Sequence, residues 1–335
     1  MSNRTGQTAR LHACFLTVLA GAAILLNCNG ASAQNNTAKP IESPSPFGTI
    51  EPQKTPPFLP DLAFAAFQRG FYGTALREAL KRLDGNGNDA AAMTLVGQLY
   101  HDGLGVRRDA GVAAKWYRLG SDHGNREAMF ALGLMQLQSE GVPGDRNAAK
   151  ALFELAAAQG HAGALYNLGI LATEPQDGGP DFARAAGLFE KAAELGDPDA
   201  MYALGTFYRE GSGVPQDAAK STQWLARAAW LDHLPAMVDY AIALFNGAGI
   251  AKNEATAARL FLKAAHRNNP IAQNRMARLL ASGHGASRNI VEALKWHLLA
   301  RAAGLPDEWL DSQLTMLTTA EQAAVEAAVR AYVGR

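Results

Sequence analysis

The chain has 335 residues, 48% of them hydrophobic, and its 31 Lys and Arg balance 31 Asp and Glu. A formal net charge of zero removes the electrostatic ground for nucleic-acid binding or for charge-driven attachment to an anionic membrane. The two cysteines, Cys14 and Cys28, both lie near the start, so neither a disulfide framework nor a Cys-based metal site is expected beyond them.

Arg4 and Arg10 precede an apolar run at residues 11–26, and Ala31-Ser32-Ala33 has the small-x-small pattern of a processing site. Residues 1–33 therefore read as a secretory signal peptide cut near Gln34. The run is short for a spanning helix, which makes retention as an anchor the lesser alternative, and no stable membrane insertion is expected after cleavage. A lipoprotein attached through Cys28 is disfavoured because Asn27 stands where a small residue is needed. Cleavage removes two positive charges and no negative ones, leaving a net charge near −2. Much Ala, few Lys and the plain cleavage site favour a bacterial periplasm, or secretion, over an endoplasmic reticulum lumen. Residues 34–60 hold seven prolines and no apolar periodicity, the composition of an extended, disordered linker.

At residues 61–90, Leu62, Phe64, Phe67, Leu76, Leu80 and Leu83 flank a Gly70-Phe71-Tyr72-Gly73 turn. The spacing predicts a shortened two-helix unit that caps the N-terminal end of a larger helical array.

Residues 91–305 then repeat at a fixed period of 36, six times. One column reads Ala92, Ala128, Ala164, Ala200, Ala236 and Ala272; another reads Gly97, Gly133, Gly169, Gly205, Ala241 and Ala277. Such self-similarity is the signature of a solenoid. Within a unit, Ala92, Met93, Val96 and Tyr100 make an apolar stripe of helical period, which Gly103 and Gly105 end. Asp109, Asp145, Asp181, Asp217, Asn253 and Asn289 stand where each second helix starts and can cap its free N–H groups. Trp116, Leu152, Leu188, Trp224, Leu260 and Trp296 are expected to face a neighbouring helix across the small column Gly120, Ala156, Ala192, Ala228, Ala264 and Ala300. Gly124, Gly160, Gly196, Asp232, Asn268 and Gly304 are the expected stops of the second helices. Pro175 disfavours helix at Glu174, so the third unit's first helix should end early. In residues 306–335, Thr318 and Glu321 have capping-box spacing before an Ala- and Val-rich run, which predicts C-terminal capping helices.

Residues 91–120, AAMTLVGQLYHDGLGVRRDAGVAAKWYRLG, resemble the Sel1-like repeat, a relative of the tetratricopeptide repeat. The resemblance covers about two thirds of the chain and implies an all-α, right-handed α/α superhelical solenoid. It also implies a protein-binding scaffold whose first helices line the concave side. Some members of this kind tune envelope signalling by holding a sensor's periplasmic domain. Cysteine-rich relatives point instead to a cell-wall or β-lactam-interacting hydrolase, and others to an endoplasmic reticulum quality-control adaptor.

Chemistry is not legible. The eight histidines fall mostly in turns, and no metalloprotease, P-loop or nucleophile-elbow pattern occurs, so no catalytic, cofactor-binding or metal-ligating residue is assigned. His101-Asp102 reads as a solvated helix end. What remains is a stripe on the first helices, opposite the core columns. Its middle units read Phe130, Leu134, Leu137; Tyr166, Ile170, Thr173; Tyr202, Thr206, Arg209; and Val238, Ile242, Phe245. An apolar stripe that turns polar at both ends, as at Asn274 and Arg278, points to a groove for a protein or peptide partner. Phe130, Leu134, Tyr166, Ile170, Tyr202, Arg209, Val238, Ile242 and Phe245 are its candidate contacts.

Overall fold

The computed structural model describes residues 61–175 and 178–334. The signal-peptide and linker segments lie outside the described residues, as do two positions in the third unit's loop.

Among the described residues all regular structure is helical. α1 (Leu62–Gln68) and α2 (Tyr72–Gly85) form a first hairpin. Six longer hairpins come after it: α3 (Ala90–Asp102) with α4 (Ala110–Asp122), α5 (Arg126–Gln138) with α6 (Arg146–Ala158), α7 (Ala162–Thr173) with α8 (Phe182–Glu194), α9 (Pro198–Glu210) with α10 (Ala218–Trp230), α11 (Leu234–Asn246) with α12 (Glu254–His266), and α13 (Pro270–Ser282) with α14 (Ile290–Ala302). α15 (Glu308–Thr315) and α16 (Thr319–Val333) complete the order, and α16 folds back onto α14. From α1 to α15 each helix packs on the next in sequence, the all-α solenoid that the period implies.

Capping keeps the period. Asp109, Asp145, Asp181, Asp217, Asn253 and Asn289 each accept a hydrogen bond from the third N–H of their second helix. Asp89, Asn125, Asp197 and Asn269 do the same for four first helices. His161 and His233 cap the other two, Nδ1 accepting from Ala164 and Ala236 N–H at 3.1 Å. An accepting Nδ1 puts the ring proton on Nε2, which donates to Glu127 and Asp199, both at 3.0 Å, in the preceding unit. These two histidines are therefore caps and inter-repeat ties, and more than turn residues. The six expected stops all have positive φ, from 60° at Asn268 to 94° at Gly196. Pro175 has the expected effect: α7 has 12 residues where α5 has 13, and Glu174 is extended.

The core corrects one expectation. Trp116, Leu152, Leu188, Trp224 and Leu260 are only half-buried, and Trp296 alone of that column is enclosed. The deep column lies one residue on, at Tyr117, Phe153, Phe189, Leu225 and Phe261. The reason is the Gly column of the first helix. A Cβ on Gly97, Gly133 or Gly169 would lie 2.8, 2.7 or 2.5 Å from the ring of Tyr117, Phe153 or Phe189. The missing side chain is filled by the facing ring, so the aromatic residue within the unit is what the Gly column serves. The small column does meet the next unit: Gly120 lies against Ala128, and all its alanines are fully enclosed.

The second loop glycine has a further role. A Cβ at Gly141, Gly213, Gly249 or Gly285 would come within 2.0–2.5 Å of backbone at Ala110, Phe182, Ala218 or Glu254, where the preceding unit's second helix begins. Gly105 meets Tyr72 and Gly73 in the same way, so α1 and α2 stand as a unit ahead of the first repeat.

Candidate partner-binding face

Helices α5, α7, α9 and α11 carry the proposed stripe. Ten of its twelve positions are half-buried, Arg209 is exposed, and Val238 is enclosed at 3% exposure. Val238 therefore belongs to the core, and the remainder is less open than a solvent-facing groove would be.

At most of these positions a packing contact accounts for the half-burial. Phe130 stacks on His161, centroids 4.2 Å apart, and leans on Phe153 at 5.8 Å. Leu134 and Leu137 pack beside it on the same cluster. Tyr166 leans on Phe189 at 5.6 Å, with Ile170 on the same core. Tyr202 lies 4.9 Å from the His233 ring, so His161 and His233 each cap a helix and support an aromatic ring of the stripe. Thr173 donates back to the Ile170 carbonyl at 2.7 Å. Ile242 and Phe245 flank the C-terminal core cluster.

Charge punctuates this surface. Arg209 pairs with Asp239 at 2.7 Å, beside the Tyr202 hydroxyl. Burial, then the nearby Asp199 and Asp197, push the Tyr166 phenol up to about 12. Burial and Asp239 raise Tyr202 as well, so both are neutral hydroxyls on amphipathic rings at ordinary pH. His101 is not a plain solvated helix end. Its Nδ1 lies 2.7 Å from Asp102 and its Nε2 3.5 Å from Glu140 of the next unit, which Arg108 also engages.

The largest exposed apolar side chains lie elsewhere. Trp230 is 88% exposed, with Leu231 beside it and Leu195 one period earlier. Its column, Asp122, Ala158, Glu194, Trp230, His266 and Ala302, is otherwise mostly polar or small, so a lone Trp there was the available signal. Among the described residues no cluster of three or more His, Cys, Asp or Glu could hold a metal ion, and no helix is long and apolar enough to cross a membrane.

The Sel1 repeat family pattern matches residues 90–125, 126–161, 162–197, 198–233, 234–269 and 270–305. The chain belongs to the Sel1-repeat family. A Sel1 repeat protein from Oxalobacter formigenes is 26% identical over 72% of this chain and 96% of its own, with a TM-score of 0.61. The c5321 protein, described as a protective antigen of uropathogenic Escherichia coli strains displaying this repeat fold, is 24% identical over 82% of this chain and 67% of its own, TM-score 0.51. That second likeness shows the fold alone. No curated protein matches the chain. Sel1-repeat solenoids are typically non-enzymatic scaffolds for protein–protein interaction.

Proposed function

We propose that this Sel1-repeat chain is an exported scaffold that holds a protein or peptide partner along the stripe of its first helices, in the periplasm or outside the cell, and thereby regulates an envelope process. The observation that carries the reading is the row of pre-positioned, half-open rings Phe130, Tyr166 and Tyr202, each supported on one side and accessible on the other. Rings held in place lose little side-chain freedom on binding, and aromatic anchors dominate most interface energetics. Arg209, exposed between Tyr202 and Asp239, supplies an orienting charge. Export rests on residues 1–33 and their signal-peptide pattern.

The test is capture of partners by the tagged chain from an extract of its own source cells. Changing Phe130, Tyr166 and Ile170 together to Asp should abolish capture while far-UV circular dichroism stays helical. Because those side chains also lean on the core, Arg209→Glu is the companion change: it breaks a surface ion pair with Asp239, so it should weaken capture at a stability cost of about 1 kcal/mol or less. Unchanged capture in both variants, with helicity intact, overturns the proposal.

A further inference from the structure

The first-helix face changes character at its C-terminal end. Between α11, α13 and α15 lies a cavity of about 530 Å³ whose apolar walls include Ile242, Phe245 and Trp309. Two guanidiniums, Arg275 and Arg278, line it together with His284, and no carboxylate does. Since Arg278 is paired with Asp307, the unbalanced charge over this apolar floor is that of Arg275.

The two arginines are not equivalent. Arg278 is committed: it grips Asp307 through Nε at 2.6 Å and Nη2 at 2.9 Å, with Asn274 adding a third bond at 2.8 Å. Its guanidinium also lies 5.7 Å from the Trp309 ring, fixing that wall of the cavity. Arg275 is exposed and, among the described residues, makes no hydrogen bond or ion pair. The equivalent positions in earlier units are Leu95, Ala131, Asn167, Ala203 and Asp239, so a cation in this column is particular to this end. A free guanidinium at the rim of an apolar cavity suits a carboxylate carried beside a bulky apolar group.

We propose, resting on the scaffold reading, that this cavity anchors an acidic stretch of the partner polypeptide. A carboxylate of that stretch pairs with Arg275, and a neighbouring large apolar side chain enters between Phe245 and Trp309. Continuity favours a polypeptide over a small acid. Ile242 and Phe245 line the cavity and also belong to the first-helix stripe, so a chain seated here runs on along that face. Arg278 and Asp307 form the fixed wall and keep Trp309 in position.

The test is fluorescence polarisation of the full chain with a labelled ten-residue peptide of alternating Glu and Leu around a central Phe. Expected is saturable binding that falls about tenfold or more when the peptide's Glu residues become Gln, and by a similar factor in Arg275→Glu. Trp309→Ala should also weaken it, Arg275→Lys should restore part of what Arg275→Glu loses, and raising NaCl from about 50 to about 300 mM should weaken it several-fold. Absence of binding, equal binding of the Gln peptide, or an unaffected Arg275→Glu variant overturns the proposal. So does displacement of the peptide by glutarate at equal concentration, which would mark a small-anion site. The Phe130, Tyr166 and Ile170 variant separates this from the scaffold reading. If it loses the natural partner while Arg275→Glu keeps it, only the acidic anchor falls. If neither variant affects capture, both readings fall; if Arg275→Glu alone loses the natural partner, the anchor stands and the stripe falls.

Discussion

Gly249 lies against the Ala218 carbonyl so closely that a Cβ there would come within 2.0 Å of the oxygen. The two residues belong to consecutive units, and the contact sets how near one unit's loop comes to the preceding unit's second helix. Gly249 also has φ +71°, where an L side chain is strained. Steric and conformational costs therefore add.

Gly249→Ala is expected to destabilise the solenoid by about 3 kcal/mol or more. Gly124 is the control: its φ is +82° but nothing lies within 4 Å of its would-be Cβ, so Gly124→Ala should cost only about 1 kcal/mol. Urea unfolding of both variants checks the difference. Equal losses would mean the loop glycines serve only as helix stops.

The Arg278–Asp307 clasp should make the C-terminal end acid-sensitive. Burial pushes the Asp307 carboxyl up, but hydrogen bonds from Arg278 and Asn274 outweigh it and hold it at about 2. A carboxyl held below its ordinary 3.8 contributes stability that is present above about pH 4 and lost as pH falls towards 2. With Arg278 half exposed, the contribution is on the order of 1–2 kcal/mol. Hydrogen exchange should show α15 and α16 opening before α9 or α10 as acid is added, and Asp307→Asn should bring about that early opening already at neutral pH. Uniform opening along the chain contradicts this.

His101 ties the first repeat to the second. The Asp102 hydrogen bond, against the opposing effect of burial and with help from Glu140, raises its imidazole above the ordinary 6.5. A raised histidine contributes stability that is full below pH 6.5 and lost as pH rises through the raised value. An NMR titration should place His101 above 6.5, and Glu140→Gln should lower it. A value at or below 6.5 in the unaltered chain would show that the tie does not form.

The repeat boundaries, the caps and the stops were legible because each is set within a few residues by local chemistry: a side-chain oxygen three positions before an N–H, or a residue that tolerates positive φ. The early end of α7 followed from Pro175 by the same local logic. What depends on rotation about a helix axis was not legible to one residue. Tyr117 and Phe153 were missed as the deep column because Trp116 and Leu152, next to them, have equal apolar weight. The ring-to-glycine fit exists only once both helices are placed. Val238 was misplaced for the same reason, since its burial is decided by neighbouring units. His161 and His233 escaped notice as caps because histidine is an uncommon residue in that role. The Arg275 cavity needed α15 to supply Trp309 from beyond the last repeat.

Trp230 offers a rival surface, with its ring 88% exposed and Leu231 adjacent. With so little area buried on folding, Trp230→Ala should change stability by less than about 0.5 kcal/mol in chemical denaturation. A larger loss would mean that the ring packs in solution on the solenoid itself.

Hydroxyl-radical footprinting of the chain with its captured partner tests the central claim most directly, because it reads side-chain access ring by ring. The account predicts slowed oxidation of Phe130, Tyr166, Tyr202 and Phe245 on partner binding, with Trp230 oxidised at its unbound rate. Protection of Trp230 and Leu231 with the four stripe residues unchanged would contradict it and move the interface to the exposed edge.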